Sequence, residues 1–264
     1  MLSWRDSGTP GGGDPLVFLH AFPLNQSMWD PQYDYFSRSR RVITLDWPGF
    51  GQSPLGELGD GVGLEPYAAS LLRLLNHLEI ERATICGLSM GGYAALALFR
   101  LAPERVGSLI FCDTRATADS AASRTGRYEM VAQLEQEGLA GVENLVRTMV
   151  PRLVGATTLA NRHQLITQIE SMIRQSGPEG IARALRGLAD RPDSSDLLPA
   201  IGARSNDRAL LIVGNEDKLT PPSEMRLMSE AISGSGLVII DGAGHLPNLE
   251  QSDSFNQALE DFLP

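Results

Sequence analysis

Ala83-Thr84-Ile85-Cys86-Gly87-Leu88-Ser89-Met90-Gly91-Gly92 is the stretch on which the reading of this chain turns. An apolar run ends at Gly87, and a helical pattern, Met90–Leu101, begins three residues later. Gly-x-Ser-x-Gly alone is a weak signal, and the bare pentapeptide reads equally well as an N-cap serine in a glycine-rich turn. Between a strand and a helix it says more. So tight a turn forces the serine into a strained backbone and lifts its hydroxyl above the sheet. Glycines flank it because a Cβ at either place would collide across the turn. The helix N-terminus behind Ser89 favours developing negative charge.

Working outward, the same alternation repeats. Apolar runs at Leu16–His20, Arg41–Asp46, Ala83–Gly87, Ser108–Asp113, Ala209–Gly214 and Leu237–Asp241 carry no period-2 pattern, as expected of strands buried on both faces. Helical patterns lie between them at Met28–Ser37, Leu64–Leu78, Met90–Leu101, Pro222–Ile232 and Leu249–Phe262. The expectation is an α/β fold: a mostly parallel sheet of about seven strands flanked by helices, with Leu2–Arg5 as an edge strand. One interval departs from it. From Thr114 to Arg208, 95 residues contain no convincing strand, although a crossover needs only about a dozen. Helical patterns at Ser123–Glu137, Gly141–Met149, Leu159–Gln175 and Pro178–Ala189 predict an inserted helical cap over 114–208, with 1–113 and 209–264 forming the core.

The formal charge of −10 speaks against a nucleic-acid partner. No apolar stretch reaches the roughly 18 residues a membrane span needs, and the N-terminus lacks a signal-peptide layout, so a cytoplasmic protein is expected. Cys86 and Cys112 each end an apolar run and read as buried, reduced core residues. Neither a metal-ligand cluster nor a dinucleotide fingerprint is visible, so no cofactor or metal is expected.

A serine hydroxyl needs a base. His77 lies late in a helix and His163 in the predicted cap. His20 follows the first strong strand and reads as a brace for its loop. His245, in Gly242-Ala243-Gly244-His245-Leu246-Pro247, follows the last strand, and loops after parallel strands open on the same sheet edge as Ser89. It is the chosen base. Two carboxylates reach that edge: Asp217, after the penultimate strand, and its rival Asp113. We take Asp217, which gives the chain order Ser89, Asp217, His245. The backbone N–H groups of Met90 and Phe22 are the expected oxyanion donors. Trp29, Met130, Leu134, Leu145 and Met149 are candidate lining residues, with Phe22, Met90 and Met172 beside them.

With these pieces placed, the chain resembles the α/β-hydrolase fold family over nearly its whole length. His20-Ala21-Phe22-Pro23 resembles the family's His-Gly-x-Pro oxyanion loop, with Ala21 where the family carries Gly. Asp46-Trp47-Pro48-Gly49-Phe50-Gly51-Gln52-Ser53 resembles its Asp-x-x-Gly-x-Gly-x-Ser segment, and Gly87–Gly92 its nucleophile elbow. Within the family, the capped group of 3-oxoadipate enol-lactonases and small-molecule carboxylesterases is most similar. The resemblance implies a serine hydrolase for a small ester or lactone; the N-terminus lacks room for the family's first strand, so seven strands are expected rather than eight. Aspartate at the elbow, as in haloalkane dehalogenases and epoxide hydrolases, would imply other chemistry. C–C bond hydrolysis, acyl transfer and cofactor-free perhydrolysis by the same residues stay open, as does a non-enzymatic small-molecule receptor. Arg115, Arg124 and Arg127 could meet a substrate carboxylate or simply belong to a mixed solvated surface. Oligomeric state is not legible.

Overall fold

A computed structural model describes residues 1–8, 11–56, 58–204 and 208–264. The sheet has seven strands among these residues: β1 (Trp4–Asp6), β2 (Leu16–Leu19), β3 (Val42–Leu45), β4 (Ala83–Leu88), β5 (Val106–Cys112), β6 (Ala209–Gly214) and β7 (Gly236–Ile240). Their spatial order is β1-β3-β2-β4-β5-β6-β7, with β1 antiparallel to β3 and every other pair parallel. β2, β3, β4 and β6 are buried along their whole length, which is why their sequences are continuous rather than alternating. The exposed edge is left to the short β1 and the half-buried β7.

Helices α1 (Asp30–Phe36), α2 (Glu65–His77) and α3 (Met90–Leu101) occupy the first half of the chain. Between β5 and β6, α4 (Ala121–Glu137), α5 (Leu139–Leu153), α6 (Ala156–Asn161), α7 (His163–Arg174) and α8 (Pro178–Ala189) come first. They are followed by α9 (Leu198–Gly202), α10 (Pro222–Ala231), α11 (Pro247–Glu250) and α12 (Ser252–Phe262). Positions 205–207, inside the predicted 114–208 cap, lie outside the described residues. Among the described residues, no helix is long and apolar enough to cross a membrane.

Three predicted helices break where backbone geometry demands it. Met28–Ser37 becomes a 3-10 turn, Gln26–Trp29, and then α1, because Pro31 sits in the first helical turn. Leu159–Gln175 divides at Arg162, whose φ of −112° and ψ of 60° leave the helical region. Leu249–Phe262 divides at Gln251 for the same reason. Helices α4, α5, α7 and α8 bury Val131, Val146, Ile169, Ile173 and Leu185 in the same apolar core as the sheet. Cys86 and Cys112 are buried there as free thiols.

Candidate active site

Ser89 stands at the end of β4 with φ 53° and ψ −110°, a left-handed backbone that costs a non-glycine residue roughly 1–3 kcal/mol. The turn is closed from both sides. A Cβ on Gly87 would run into the Gly91 carbonyl, and one on Gly91 into the carbonyl oxygen of Leu19. The Ser89 N–H donates to Cys112 O at 2.8 Å, and the Thr114 hydroxyl donates to Ser89 O at 2.9 Å, so the end of β5 holds the turn in place. The N–H of Met90 opens α3, where helix amides lack intrahelical acceptors.

Asp217 and His245 come from the loops after β6 and β7. His245 Nδ1 lies 2.8 Å from Asp217 Oδ2, with both residues buried. Asp217 also accepts the Leu219 N–H at 2.8 Å, the Thr220 N–H at 3.2 Å and the Thr220 hydroxyl at 2.6 Å. Burial opposes its charge, but the His245 partnership and these donors outweigh burial and hold the Asp217 carboxyl below its ordinary value. An ionised Asp217 fixes Nδ1 as the protonated ring nitrogen and leaves Nε2 with a lone pair. The rival Asp113 does not hydrogen-bond His245 in this way; its Oδ1 accepts the Gly214 N–H at 3.0 Å.

Ser89 and His245 line one cavity of about 370 Å³, with Phe22, Tyr93, Met130, Met149, Leu185 and Leu188 as its apolar wall. Of the other expected lining residues, Trp29 is wholly buried between Phe18 and Phe255, with ring centroids 4.7 and 6.0 Å away. Leu134 borders a separate outer groove, while Leu145, Met90 and Met172 are core. The cavity is also cationic: among the described residues Arg115, Arg127, Arg152 and Lys218 line it, against a single carboxylate, Asp119. Asp119 is itself held by Arg127 at 2.5 Å and Arg191 at 2.7 Å. Arg115 donates from Nη2 to Leu219 O at 2.5 Å, and its buried Nε has no hydrogen-bond partner among the described residues. Arg124 lies elsewhere, paired with Asp190 at 2.6 Å.

His20 braces rather than reacts. Its Nδ1 donates to Ala21 O and its Nε2 accepts the Trp47 N–H, each at 2.9 Å. Burial pushes its pKa down to about 4, against the pull of Asp46, so the ring is neutral. Asp46 accepts from the Gln26 and Gln52 backbones, and the Ser53 hydroxyl donates to Asp46 O, which ties the two loops together. His77 is an exposed edge partner of Trp4, and His163 is exposed at the start of α7.

Two residues were not singled out by sequence. Thr220 contacts both members of the Asp217–His245 pair, reaching His245 Nδ1 at 3.2 Å. Glu250, in α11, accepts the N–H groups of Gly155 at 2.7 Å, Gly244 at 2.8 Å and Leu246 at 3.3 Å, and so fixes the loop carrying His245. Its one sequence signal is an acidic residue on the buried face of a short C-terminal helix. Asp113, Asp217 and His245 present ligand-type atoms within 4.8 Å of one another, but Asp217 and His245 bond each other and Asp113 bonds the Gly214 amide.

Residues 14–252 match the family model of the α/β hydrolase fold. The structure superposes on a thermophilic esterase from Thermogutta terrifontis, solved with malate bound, with a TM-score of 0.90 and 38% identity, covering 99% of this chain and 92% of that one. The 3-oxoadipate enol-lactonase 2 of Acinetobacter baylyi is 28% identical over 93% of this chain and 86% of its own length. The dihydrolipoyllysine-residue acetyltransferase component of the acetoin cleaving system of Pseudomonas putida is 32% identical over 100% of this chain. The match spans 66% of that relative, just under two thirds of its length.

Proposed function

The chain belongs to the α/β-hydrolase fold family, and from that premise we propose that it is a serine hydrolase of small carboxylic esters or lactones bearing a carboxylate. Ser89 Oγ attacks the carbonyl carbon while His245 Nε2 takes its proton. The tetrahedral oxyanion is held by the Met90 and Phe22 N–H groups. Collapse expels the alkoxide, which takes the proton from His245, and leaves an acyl-Ser89 ester. A water, deprotonated by the same imidazole, attacks that ester; the acid departs and Ser89 regains its proton. Asp217 orients the ring and stabilises its charged form. Residues 114–208 act as the cap that shields these steps.

The observation that carries the reading is the opening of Ser89 and His245 into one cavity, with His245 Nδ1 engaged by Asp217. The carboxylate is supported by the reversal of charge: four cationic side chains line the cavity of a chain whose net charge is −10. The malate-bound esterase and the enol-lactonase are relatives consistent with such a ligand.

The test compares p-nitrophenyl acetate and butyrate with p-nitrophenyl hemisuccinate, for wild type and Ser89→Ala. Turnover that disappears in the variant, with higher kcat/KM on the hemisuccinate, is expected. Full activity in Ser89→Ala would refute the nucleophile. Preference for the neutral esters would refute the carboxylate. A folded wild type that turns over none of these esters would favour C–C bond hydrolysis, acyl transfer or a receptor.

A further inference from the structure

Asp113 is a wholly buried ionisable group that the reaction above leaves unused. It follows β5 with φ 44°, in the left-handed region. Its N–H donates to Ile212 O at 3.0 Å and its Oδ1 accepts the Gly214 N–H at 3.0 Å, so the carboxyl is fixed to the end of β6. Its Oδ2 is also buried and, as a carboxylate oxygen, has no donor to accept from among the described residues. One carboxyl oxygen of Asp113, one of Asp217 and a His245 ring nitrogen come within 4.8 Å of one another. Two carboxylates repel unless one carries a proton, in which case they hydrogen-bond. The donors decide which one carries it. Asp217 is met by Leu219 N–H, Thr220 N–H, the Thr220 hydroxyl and His245, whereas Asp113 is met by one amide.

We propose that Asp113 is a neutral carboxylic acid whose Oδ2–H donates to the Asp217 carboxylate, making it a positioning residue for the Asp217–His245 pair. The role rests on the serine-hydrolase reading; the protonation state does not. The bond satisfies the otherwise orphaned oxygen and gives Asp217 a fourth donor group beside the imidazole. It does so without a second negative charge near His245, which would hold a proton on the ring and remove the base. The other ionisable groups at this place are the Cys112 and Cys86 thiols, whose sulfurs are 3.8 Å apart. Burial pushes the Cys112 thiol well up, so it adds no charge. Burial, followed by the Asp217 charge, likewise pushes the Asp113 carboxyl well up.

The experiment compares wild type, Asp113→Asn and Asp113→Ala across pH on an accepted ester. The alanine variant is expected to lose about tenfold or more in kcat with little change in KM, and the asparagine variant to return to within about threefold of wild type. An asparagine amide still donates to Asp217 while its carbonyl accepts from Gly214, so the acid limb of its kcat/KM profile should match wild type within about 0.3 pH units. An acid limb moved down by about one unit or more would mean that a negative charge had been removed beside His245, and would overturn the proposal. So would an alanine variant as active as wild type.

Infrared spectroscopy reads the proton directly. A protonated-carboxyl C=O band at neutral pH, present in wild type and absent from Asp113→Asn, is expected, and its absence from wild type would overturn the proposal. This readout stands whatever Ser89→Ala does, and it needs no folded alanine variant.

Discussion

Arg115→Met tests the cavity's charge at the residue nearest to being spare. Methionine keeps the apolar stem and removes the guanidinium. One bond of that group, Nη2 to Leu219 O, is used by the fold, while its buried Nε is not. Two routes give the magnitude. A hydrogen bond between charged partners contributes about 1.5–3 kcal/mol. Unit charges about 6 Å apart at an effective dielectric of about 20 interact by roughly 2.8 kcal/mol. Arg115 is partly exposed and Arg127, Arg152 and Lys218 remain, so the lower half of that range applies. A loss of about 2 kcal/mol is about thirtyfold in kcat/KM.

The assay is kcat/KM for p-nitrophenyl hemisuccinate beside p-nitrophenyl butyrate. The first should fall about thirtyfold and the second stay within about threefold. Wild-type activity on the hemisuccinate should also decline as salt rises, because a partly exposed cation is screened. The neutral ester is the control for the loop, since Leu219 lies two residues from Asp217 and losing its carbonyl bond could move the carboxylate. Equal falls on both esters would mean that Arg115 serves the loop and not the substrate, and the inference from cavity charge would be wrong at this residue.

Two further outcomes are expected. Asp217→Asn should lower kcat by about 10³–10⁴ with little change in KM, because an amide there no longer dictates which imidazole nitrogen is protonated; a loss under tenfold would count against the assignment. Asp113→Asn should change the pH dependence of thermal stability. Below the unfolded carboxylate value of about 3.9, Asp113 is neutral in both states. Above it the unfolded chain ionises and the folded one does not, so wild-type stability falls as pH rises towards the raised folded value. Asparagine cannot ionise, so the Tm of Asp113→Asn relative to wild type should climb between pH 5 and pH 8; a flat difference would contradict the buried neutral acid.

The strands could be read from the chain because burial on both faces makes them continuous apolar runs, and their shared direction brings the loops at Ser89, Asp217 and His245 to one edge. The elbow could be read because its glycines answer a local steric problem that Gly91 and Leu19 pose. Through-space choices were less accessible. Asp113 and Asp217 open on the same edge, and nothing in their spacing says that one bonds the imidazole while the other bonds the Gly214 amide. Trp29 follows the His20–Pro23 loop in sequence, yet its ring turns inward to Phe18 and Phe255. Arg115 and Arg127 could not be told from Arg124 without knowing which way α4 and the segment before it face; two line the cavity and one pairs with Asp190 at the surface.

Glu250 ties the helices between β5 and β6 to the loop that carries His245. Its two oxygens accept from Gly155, between α5 and α6, and from Gly244, beside His245. The His245 N–H donates to Leu153 O at 3.1 Å, and Glu216, next to Asp217, accepts the Ala156 N–H at 2.7 Å. Residues 153–156 are therefore bonded to both loops that carry Asp217 and His245. The rest of α5 carries Met149 and Arg152 into the cavity wall. A change that shifts the end of α5 moves the wall and the imidazole together, because the same backbone bonds hold both. Substitutions near this break should alter kcat as well as KM, whereas those at Arg127, which reaches the cavity from the middle of α4, should act mainly on KM.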